Sequence, residues 1–273
     1  MHTFIQRPSL SLTPYIAQYW CWQLPVGTAI PAIYSGTGVE CVFNLGDPVE
    51  VIQPYSSLIS KGEGVILCPR QQHFRAIGTG KVNLLSIRFR SAGFFRLFKI
   101  PLTELTDKLI DANNIFPESL FVQLLDEQSK CALVTLLDRY LLHQLNNVVE
   151  DKLMNCLIDN IYYQNNLRLP IIMSNSGMSE RSFQRKFKMY TGVGAKYFQR
   201  TARFQSCIKA LLMNPKLNYS QLALTHGYFD QAHFINEFKG FSAFTPQYFI
   251  QKTQNDLSYY NNTSYLPFKG VGS

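Results

Sequence analysis

The chain has 273 residues, of which 46% are hydrophobic and 16% charged, and its formal net charge is +8. This length and composition fit a globular protein of two domains and exclude wholesale disorder. No run of apolar residues reaches the roughly 18 of a membrane span, and no basic-then-apolar leader begins the sequence. We therefore expect a cytoplasmic protein without membrane contact.

The positive charge is concentrated in one part of the chain. Residues 1–160 contain 13 Lys and Arg against 14 Asp and Glu, whereas residues 161–252 contain 12 against 3. Such an excess is typical of a surface that faces polyphosphate, and it predicts salt-dependent binding. A membrane surface is the weaker alternative, because no amphipathic stretch leaves a broad apolar face for lipid.

The N-terminal part predicts β-structure. Short runs rich in β-branched and aromatic residues alternate with turn signals, and they predict strands at Tyr19–Trp22, Val39–Leu45, Val49–Ile52, Gly64–Cys68, His73–Ile77 and Val82–Phe89. This spacing favours a small β-barrel or sandwich. Trp20 and Trp22 share one strand face, which favours a place in the core over a ligand platform.

Catalytic and metal-binding patterns are missing from this predicted barrel. His73 is the only histidine between Thr3 and Leu142, and no catalytic triad or phosphate-binding glycine loop is present. We expect no enzyme activity, no metal and no cofactor. Arg88 and Arg90 leave two alternatives open: they bind an anionic effector inside the barrel, or they lie on its solvated outside. The six cysteines lie far apart and are interpreted as reduced thiols that pack as small apolar residues.

Residues 94–163 change to helical periodicity. Three sets of apolar residues recur at helical spacing: Leu120, Leu124 and Leu125; Leu133, Leu136, Leu137, Tyr140 and Leu141; Leu153, Cys156, Leu157 and Ile161. These helices must bury their apolar faces against the barrel, against a second copy of the chain, or against both. We predict a linker around Tyr162–Asn166, which is polar and has no apolar period.

Beyond the linker, one pattern is repeated at an offset of 51 residues. At this offset Phe183 falls on Phe234, Phe187 on Phe238, and Lys188 on Lys239. Each copy contains a short helix, a glycine (Gly177, Gly227), a capping residue (Ser179, Asp230) and a second helix with phenylalanines four residues apart. The copies are joined by a helix predicted over Ala195–Met213, whose Arg200, Arg203 and Lys209 are candidates for phosphate contact.

This organisation is that of two helix-turn-helix units. The faces of the second helices opposite the phenylalanines carry side chains suited to base edges and phosphates: Arg181, Gln184, Arg185 and Lys188 in unit 1, and Gln231, His233, Asn236 and Lys239 in unit 2. A solvated polar helix face is the alternative for one copy alone. Two copies in matching register favour double-stranded DNA as the partner.

The region from Leu167 to Gln251 resembles the DNA-binding domain of the AraC/XylS family of transcription regulators. The specific part is Gly227 through Lys239, followed by Thr245 and Pro246. Met173, Ala195 and Ala243 stand where the family usually has Ala, Pro and Gly. Residues 10–140 resemble, more weakly, a poorly characterised subgroup of cupin-like domains, through Phe43–Pro48 and Ile87–Phe89.

The resemblance implies a cytoplasmic regulator, for example an activator, whose two recognition helices enter adjacent major grooves. It also implies RNA polymerase as a partner, with a small-molecule effector and a homodimer possible. We predict an α+β protein with an N-terminal barrel-like regulatory domain (1–160, helical from about 94), a double helix-turn-helix domain (161–252) and a flexible tail (253–273). The alternative function is non-specific, nucleoid-type nucleic-acid binding.

Overall fold

The computed structural model describes residues 2–27, 30–148 and 150–253. The expected tail beyond residue 253 lies outside the described residues. Within them, an N-terminal region of two β-sheets is followed by helices only, so the predicted α+β class and the order of its parts are confirmed.

The two sheets of the N-terminal region are antiparallel throughout. Nine strands contribute: β1 (His2–Gln6), β2 (Ile16–Leu24), β3 (Glu40–Asn44), β4 (Val49–Gln53), β5 (Ser57–Ile59), β6 (Gly64–Leu67), β7 (Arg75–Gly78), β8 (Val82–Phe89) and β9 (Leu109–Asp111). The larger sheet has the order β1-β2-β8-β3-β6-β9 and the smaller one the order β5-β4-β7. All six predicted strands are confirmed, and three further strands, β1, β5 and β9, were missed.

The larger sheet is covered on both faces, which explains why β2 and β3 are buried along almost their whole length. One face, with Trp20 and Trp22, packs against the smaller sheet, and both tryptophans are at most 2% exposed. The other face, with Phe43 and Phe89, packs against helices. Strands buried on both faces lose the apolar-polar alternation, so they read as continuous apolar runs.

Helices α1 (Gly93–Phe98), α2 (Leu102–Leu105), α3 (Glu118–Asp126) and α4 (Lys130–Gln144) form this covering layer. The predicted stripe on α4 is confirmed, because Leu133, Leu137 and Leu141 are buried. Helix α5 (Lys152–Tyr163) follows and packs mainly on α8, described below. In α5 the buried residues are Met154, Leu157, Ile158 and Ile161.

Several assignments based on apolar periodicity or residue type were wrong. Leu153 is 48% exposed, and Cys156 and Cys131 are exposed as well, so these two cysteines do not pack as apolar residues. Cys21, Cys41, Cys68 and Cys207 are buried as predicted, and burial raises the pKa of Cys207 to about 12. Tyr162 and Tyr163 belong to α5 and not to a linker.

The two arginines at the end of β8 have different surroundings. Arg88 lies opposite Glu40 in the sheet and is 6% exposed, so the solvated alternative is wrong for this residue. Arg90 is half-buried. Its Nε donates to the Thr13 carbonyl at 2.6 Å and its Nη1 to the Tyr163 hydroxyl at 3.0 Å. Arg90 therefore ties β8 to the end of α5.

Up to residue 253, where the described residues end, the C-terminal region is formed by six helices. They are α6 (Leu169–Ser174), α7 (Glu180–Thr191), α8 (Ala195–Met213), α9 (Tyr219–Thr225), α10 (Gln231–Ser242) and α11 (Pro246–Thr253). Unit 1 consists of α6 and α7, unit 2 of α9 and α10, and α8 joins them over the predicted residues. Two hydrophobic clusters run across the described part of the molecule. One joins the helix-covered face of the larger sheet to unit 1, and the other joins the space between the sheets to unit 2.

Candidate nucleic-acid interface

The second helix of each unit begins at a side-chain cap that the sequence predicts. Ser179 Oγ accepts a hydrogen bond from the backbone N–H of Ser182 at 3.3 Å, and Asp230 Oδ1 accepts one from the N–H of His233 at 2.7 Å. The turns before the caps contain Gly177 with φ +64° and Gly227 with φ +72°. Because a Cβ is strained at such angles, glycine is the residue that allows both turns.

The paired phenylalanines anchor both recognition helices, α7 and α10. Phe183, Phe187, Phe234 and Phe238 are all 0% exposed. Phe187 packs edge-on against Phe198 near the start of α8, with ring centroids 5.3 Å apart, and Phe238 packs in the same way against Phe204 at 5.0 Å. Helix α8 is thus the common support of the two units, and burial of one face leaves the other face free.

The repeat includes the residues at the ends of the recognition helices, which the sequence analysis did not pair. Thr191 Oγ1 donates to the Phe187 carbonyl at 2.8 Å, and Ser242 Oγ donates to the Phe238 carbonyl at the same distance. Both hydroxyl residues are fully buried. The next residues, Gly192 (φ +83°) and Ala243 (φ +63°), are left-handed. Thr191 and Ser242, like Gly192 and Ala243, are separated by the same 51 residues as the phenylalanine pairs.

The free face of α7 is basic. Arg181, Arg185 and Lys188 are exposed, and within the described chain none of them forms an ion pair. Gln184 is only half-exposed. Its Oε1 accepts from the N–H of Ala195 at 3.4 Å, and its Nε2 lies 3.9 Å from the sulfur of Met173. Gln184 therefore lies at the edge of this face, where it also contacts its own unit.

The free face of α10 is polar with less charge. Gln231, His233, Asn236 and Lys239 are all exposed. Gln231 Oε1 accepts from the Ser220 hydroxyl at 2.7 Å, and His233 Nδ1 accepts from the N–H of Phe229 at 3.3 Å. Asn236 and Lys239 occupy the positions that Arg185 and Lys188 occupy in unit 1. The structure thus places all eight predicted residues on the two recognition helices.

One large apolar side chain accompanies this face and was missed by the sequence analysis. Phe229, in the turn before α10, is 85% exposed. It occupies the turn of unit 2 directly before the cap residue Asp230. Its equivalent in unit 1 is Met178, which is partly buried. A turn position has no periodicity, so apolar spacing does not identify it.

Arg200 and Arg203, the two arginines of α8 that were candidates for phosphate contact, bind groups within the protein. Arg200 Nε lies 2.5 Å from Glu237 Oε1 on α10, and Arg203 Nη2 donates to the Asn165 carbonyl at 3.2 Å. Arg203 also lies over the Tyr228 ring. Burial, followed by the charge of Arg203, lowers the pKa of His226, which keeps this histidine neutral. These contacts orient unit 2 on α8.

Comparisons with known proteins match both halves of the chain. Residues 173–252 match the family described as "Helix-turn-helix domain", and residues 5–111 match "Domain of unknown function (DUF6597)". No curated protein matches the sequence. The C-terminal match, together with the paired units and their caps, shows an AraC-type helix-turn-helix domain. Residues 173–252 therefore form an AraC-type helix-turn-helix domain, and the region before it matches a domain of unknown function.

Solved structures confirm this two-domain fold. A structure of ToxT from Vibrio cholerae covers 92% of this chain and 98% of its own, with 11% identity and a TM-score of 0.51. A second, of ToxT from Vibrio cholerae O395, covers 85% and 97%, with 13% identity and a TM-score of 0.51. At this identity the similarity concerns the fold.

Within the residues that the structure describes, no helix is long and apolar enough to cross a membrane. No group of three or more His, Cys, Asp or Glu side chains there could hold a metal ion.

Proposed function

We propose that this protein is a sequence-specific DNA-binding transcription regulator that reads two adjacent major-groove segments with α7 and α10. The observation that carries the proposal is the pair of recognition helices on one support, each with exposed polar side chains at the same register. Residue types that suit base edges and phosphates occupy these positions. Two such helices suit two groove segments about one turn, or about 34 Å, apart.

The side chains divide into two groups. Arg185 and Asn236 occupy equivalent central positions, and an arginine and an asparagine suit bidentate contact with guanine and adenine respectively. Arg181, Lys188 and Lys239 suit phosphates, which supply affinity without sequence preference. Local hydrogen bonds hold three further side chains in place for contact with bases or with the DNA backbone. These are Gln184, Gln231 and His233.

The N-terminal domain is proposed as the regulatory part, with a small-molecule effector as its ligand. The space between its two sheets, lined by Trp20, Trp22 and other apolar residues, is about 50 Å³. Ligand pockets are usually at least ~300 Å³, so an effector that entered this space would have to be small or would have to widen it. The proposal extends to two macromolecular partners, RNA polymerase and a second copy of the chain. Val122 on α3 and Leu142 on α4 are exposed apolar residues available to a second copy.

The division between the domains is also a proposal. The sequence places it at residues 160 and 161. In the structure α5 packs against α6 and α8. This packing favours a boundary just before Lys152, with α5 as the first helix of the DNA-binding domain.

The experiment that tests the function is selection of DNA from a random pool by the full chain at near-physiological salt. Recovery of a motif with two blocks about ten base pairs apart, one helical turn, supports a regulator that uses both units. Tight, salt-sensitive binding without any motif would instead favour a non-specific nucleic-acid-binding protein.

Substitution of the central residues tests the base-reading roles. Arg185→Ala and Asn236→Ala should each cost about 1–3 kcal/mol on the selected site and relax base choice in one block. Binding free energies on the selected site and on single-base variants are the measurement. Arg139→Ala, which removes an exposed arginine on α4, serves as the control for loss of charge. Equal losses on all sequences would contradict base reading.

A further inference from the structure

Arg70 is a fully buried arginine between the N-terminal sheets and unit 1. Its side chain is 0% exposed, and among the described residues it forms no ion pair. A buried guanidinium is costly unless hydrogen bonds satisfy its donors. The partners of Arg70 therefore show what it holds together.

The guanidinium of Arg70 is surrounded by backbone carbonyls. Nη1 donates to the carbonyls of Gly36 and Gly38 at 2.9 and 2.8 Å, and Nη2 donates to that of Thr37 at 3.0 Å. On its other side, Nε donates to the carbonyl of Thr191 at 2.7 Å. Nη1 also donates to the carbonyl of the preceding residue, Pro69, at 3.3 Å. Three of the five acceptors thus lie in the loop before β3, whereas Thr191 is the last residue of the recognition helix α7.

The backbone of Arg70 is fixed by two further residues. The Asp107 carboxylate accepts hydrogen bonds from the N–H groups of Arg70, Gln71 and Gln72, with shortest distances of 2.8, 3.0 and 3.1 Å. The Tyr197 hydroxyl, on α8, donates to the Arg70 carbonyl at 3.0 Å. Asp107 thus orients the turn that carries Arg70, and Tyr197 joins this turn to the support of both units.

The contact lies at the end of α7 where a cation is most favourable. The last carbonyls of a helix have no partner within the helix and carry its negative partial charge. Beside Thr191, a Cβ on Gly192 would lie 2.3 Å from the Thr106 hydroxyl, so the chain passes very close to α2 here. At the same time Arg181, Arg185 and Lys188 remain exposed. The contact holds α7 without covering its free face.

We infer that Arg70 is a positioning residue for DNA reading, which fixes the recognition helix of unit 1 through the Thr191 carbonyl. The inference rests on the proposed function, since it concerns how unit 1 is held for its block of the site. Loss of the Arg70 fork leaves the end of α7 free to shift relative to α8 and unit 2. Unit 1 then reads its block less well, while unit 2 is unaffected.

The structural part is tested without DNA, by hydrogen exchange on the full chain. Arg70→Gln should speed exchange of amides near the end of α7, including that of Gly192, and leave those of α10 unchanged. Arg70→Lys keeps the charge but lacks the planar, forked guanidinium group. Its exchange rates near the end of α7 should therefore lie between those of Arg70→Gln and the natural protein. Arg139→Gln is the matched control. Unchanged exchange in α7, or an equal increase in both recognition helices, would overturn the inference.

The functional part uses two DNA probes, the selected two-block site and the same site with the block of unit 1 scrambled. Arg185→Ala identifies that block. Because a charged hydrogen bond is lost, Arg70→Gln should bind the intact site about tenfold more weakly. On the scrambled site it should bind like the natural protein. A purely structural role would lower the folded fraction and weaken binding to both probes equally, which would also overturn the inference.

Failure of the inference and failure of the proposed function give different results. If the natural protein selects no motif, the proposed function fails, while hydrogen exchange still decides whether Arg70 positions α7. If Arg70→Gln does not fold, as judged by near-ultraviolet circular dichroism, Arg70→Lys takes its place in both tests. A folded Arg70→Lys that matches the natural protein in both would overturn the role of the fork.

Discussion

Ala243 has a backbone conformation that glycine adopts more easily than alanine. Both Gly192 and Ala243 follow a recognition helix with φ near the left-handed region, but only unit 1 has glycine there. A Cβ at such an angle is strained by about 1–2 kcal/mol. The departure from the family pattern at this position therefore has a cost in stability.

We expect Ala243→Gly to stabilise the protein by about 0.5–1 kcal/mol, since relief of strain exceeds the added freedom of the unfolded chain. The midpoint of urea unfolding is the measurement. Gly192→Ala is the matched comparison. It should destabilise the protein, because the new Cβ meets both the strained angle and the Thr106 hydroxyl. A lower midpoint for Ala243→Gly would contradict this account of the αL position.

At the scale of elements, the two units differ in what fixes them. Unit 1 is fixed at the end of α7 by Arg70 and at its side by an ion pair between Lys186 and Asp151 at 2.5 Å. Unit 2 depends on its own caps, on α8 and on a contact between Phe249 of α11 and Tyr34. Unit 2 matches the family signature more closely, whereas unit 1 has more contacts with the N-terminal domain.

The cap of α10 is expected to matter for both stability and binding. Asp230→Ala removes the acceptor for the N–H of His233 and should cost about 1 kcal/mol of unfolding free energy. Asp230→Asn keeps an acceptor and should restore most of it. Urea unfolding gives the stability, and binding to a site with the block of unit 2 scrambled shows whether the loss is confined to that unit. Similar losses for the two variants would argue against capping.

At the scale of the whole molecule, two adjacent carboxylates join the N-terminal domain to the helices. Glu150 accepts from Arg96 Nη2 at 2.8 Å and from the Tyr15 hydroxyl, and Asp151 binds Lys186. Burial raises the pKa of each carboxyl, but hydrogen bonds and nearby cations outweigh it. The pKa of Glu150 therefore lies below its ordinary 4.5, and that of Asp151 below 3.8. The two carboxylates therefore stabilise the folded state fully only at a pH above these ordinary pKa values.

Stability should consequently fall as the pH falls below about 4.5, because the unfolded chain then binds protons that the folded one does not. Glu150→Gln and Asp151→Asn should flatten the dependence of the melting temperature on pH between about 5 and 3. The exposed Glu50→Gln serves as the control for loss of a carboxylate. Parallel curves for Asp151→Asn and the natural protein would show that this contact contributes nothing to acid sensitivity.

The sequence predicted what depends on local patterns. Six strands, the ends of α8, both caps and both glycine turns follow from periodicity, turn residues and the repeat. The misses depend on tertiary packing. Strands β5 and β9 have three residues each, and β1, which is as long as β3, is defined by its pairing with β2. The buried face of α5 is set by α8. Nothing in the sequence distinguishes Arg70 from the other arginines. Its role can be inferred only from the structure, in which α7 approaches the loop before β3 and Arg70 binds both.

Each of the two hydrophobic clusters contains residues from both sides of the domain boundary that the sequence predicts. One contains Phe43 of the larger sheet and Phe187 of unit 1, and the other contains Trp20 and Phe238 of unit 2. Hybrid proteins made by exchanging N-terminal domains at the linker would therefore place each unit against a foreign surface. A successful graft has to carry the contact residues of both clusters with it, Arg70 and Tyr34 among them.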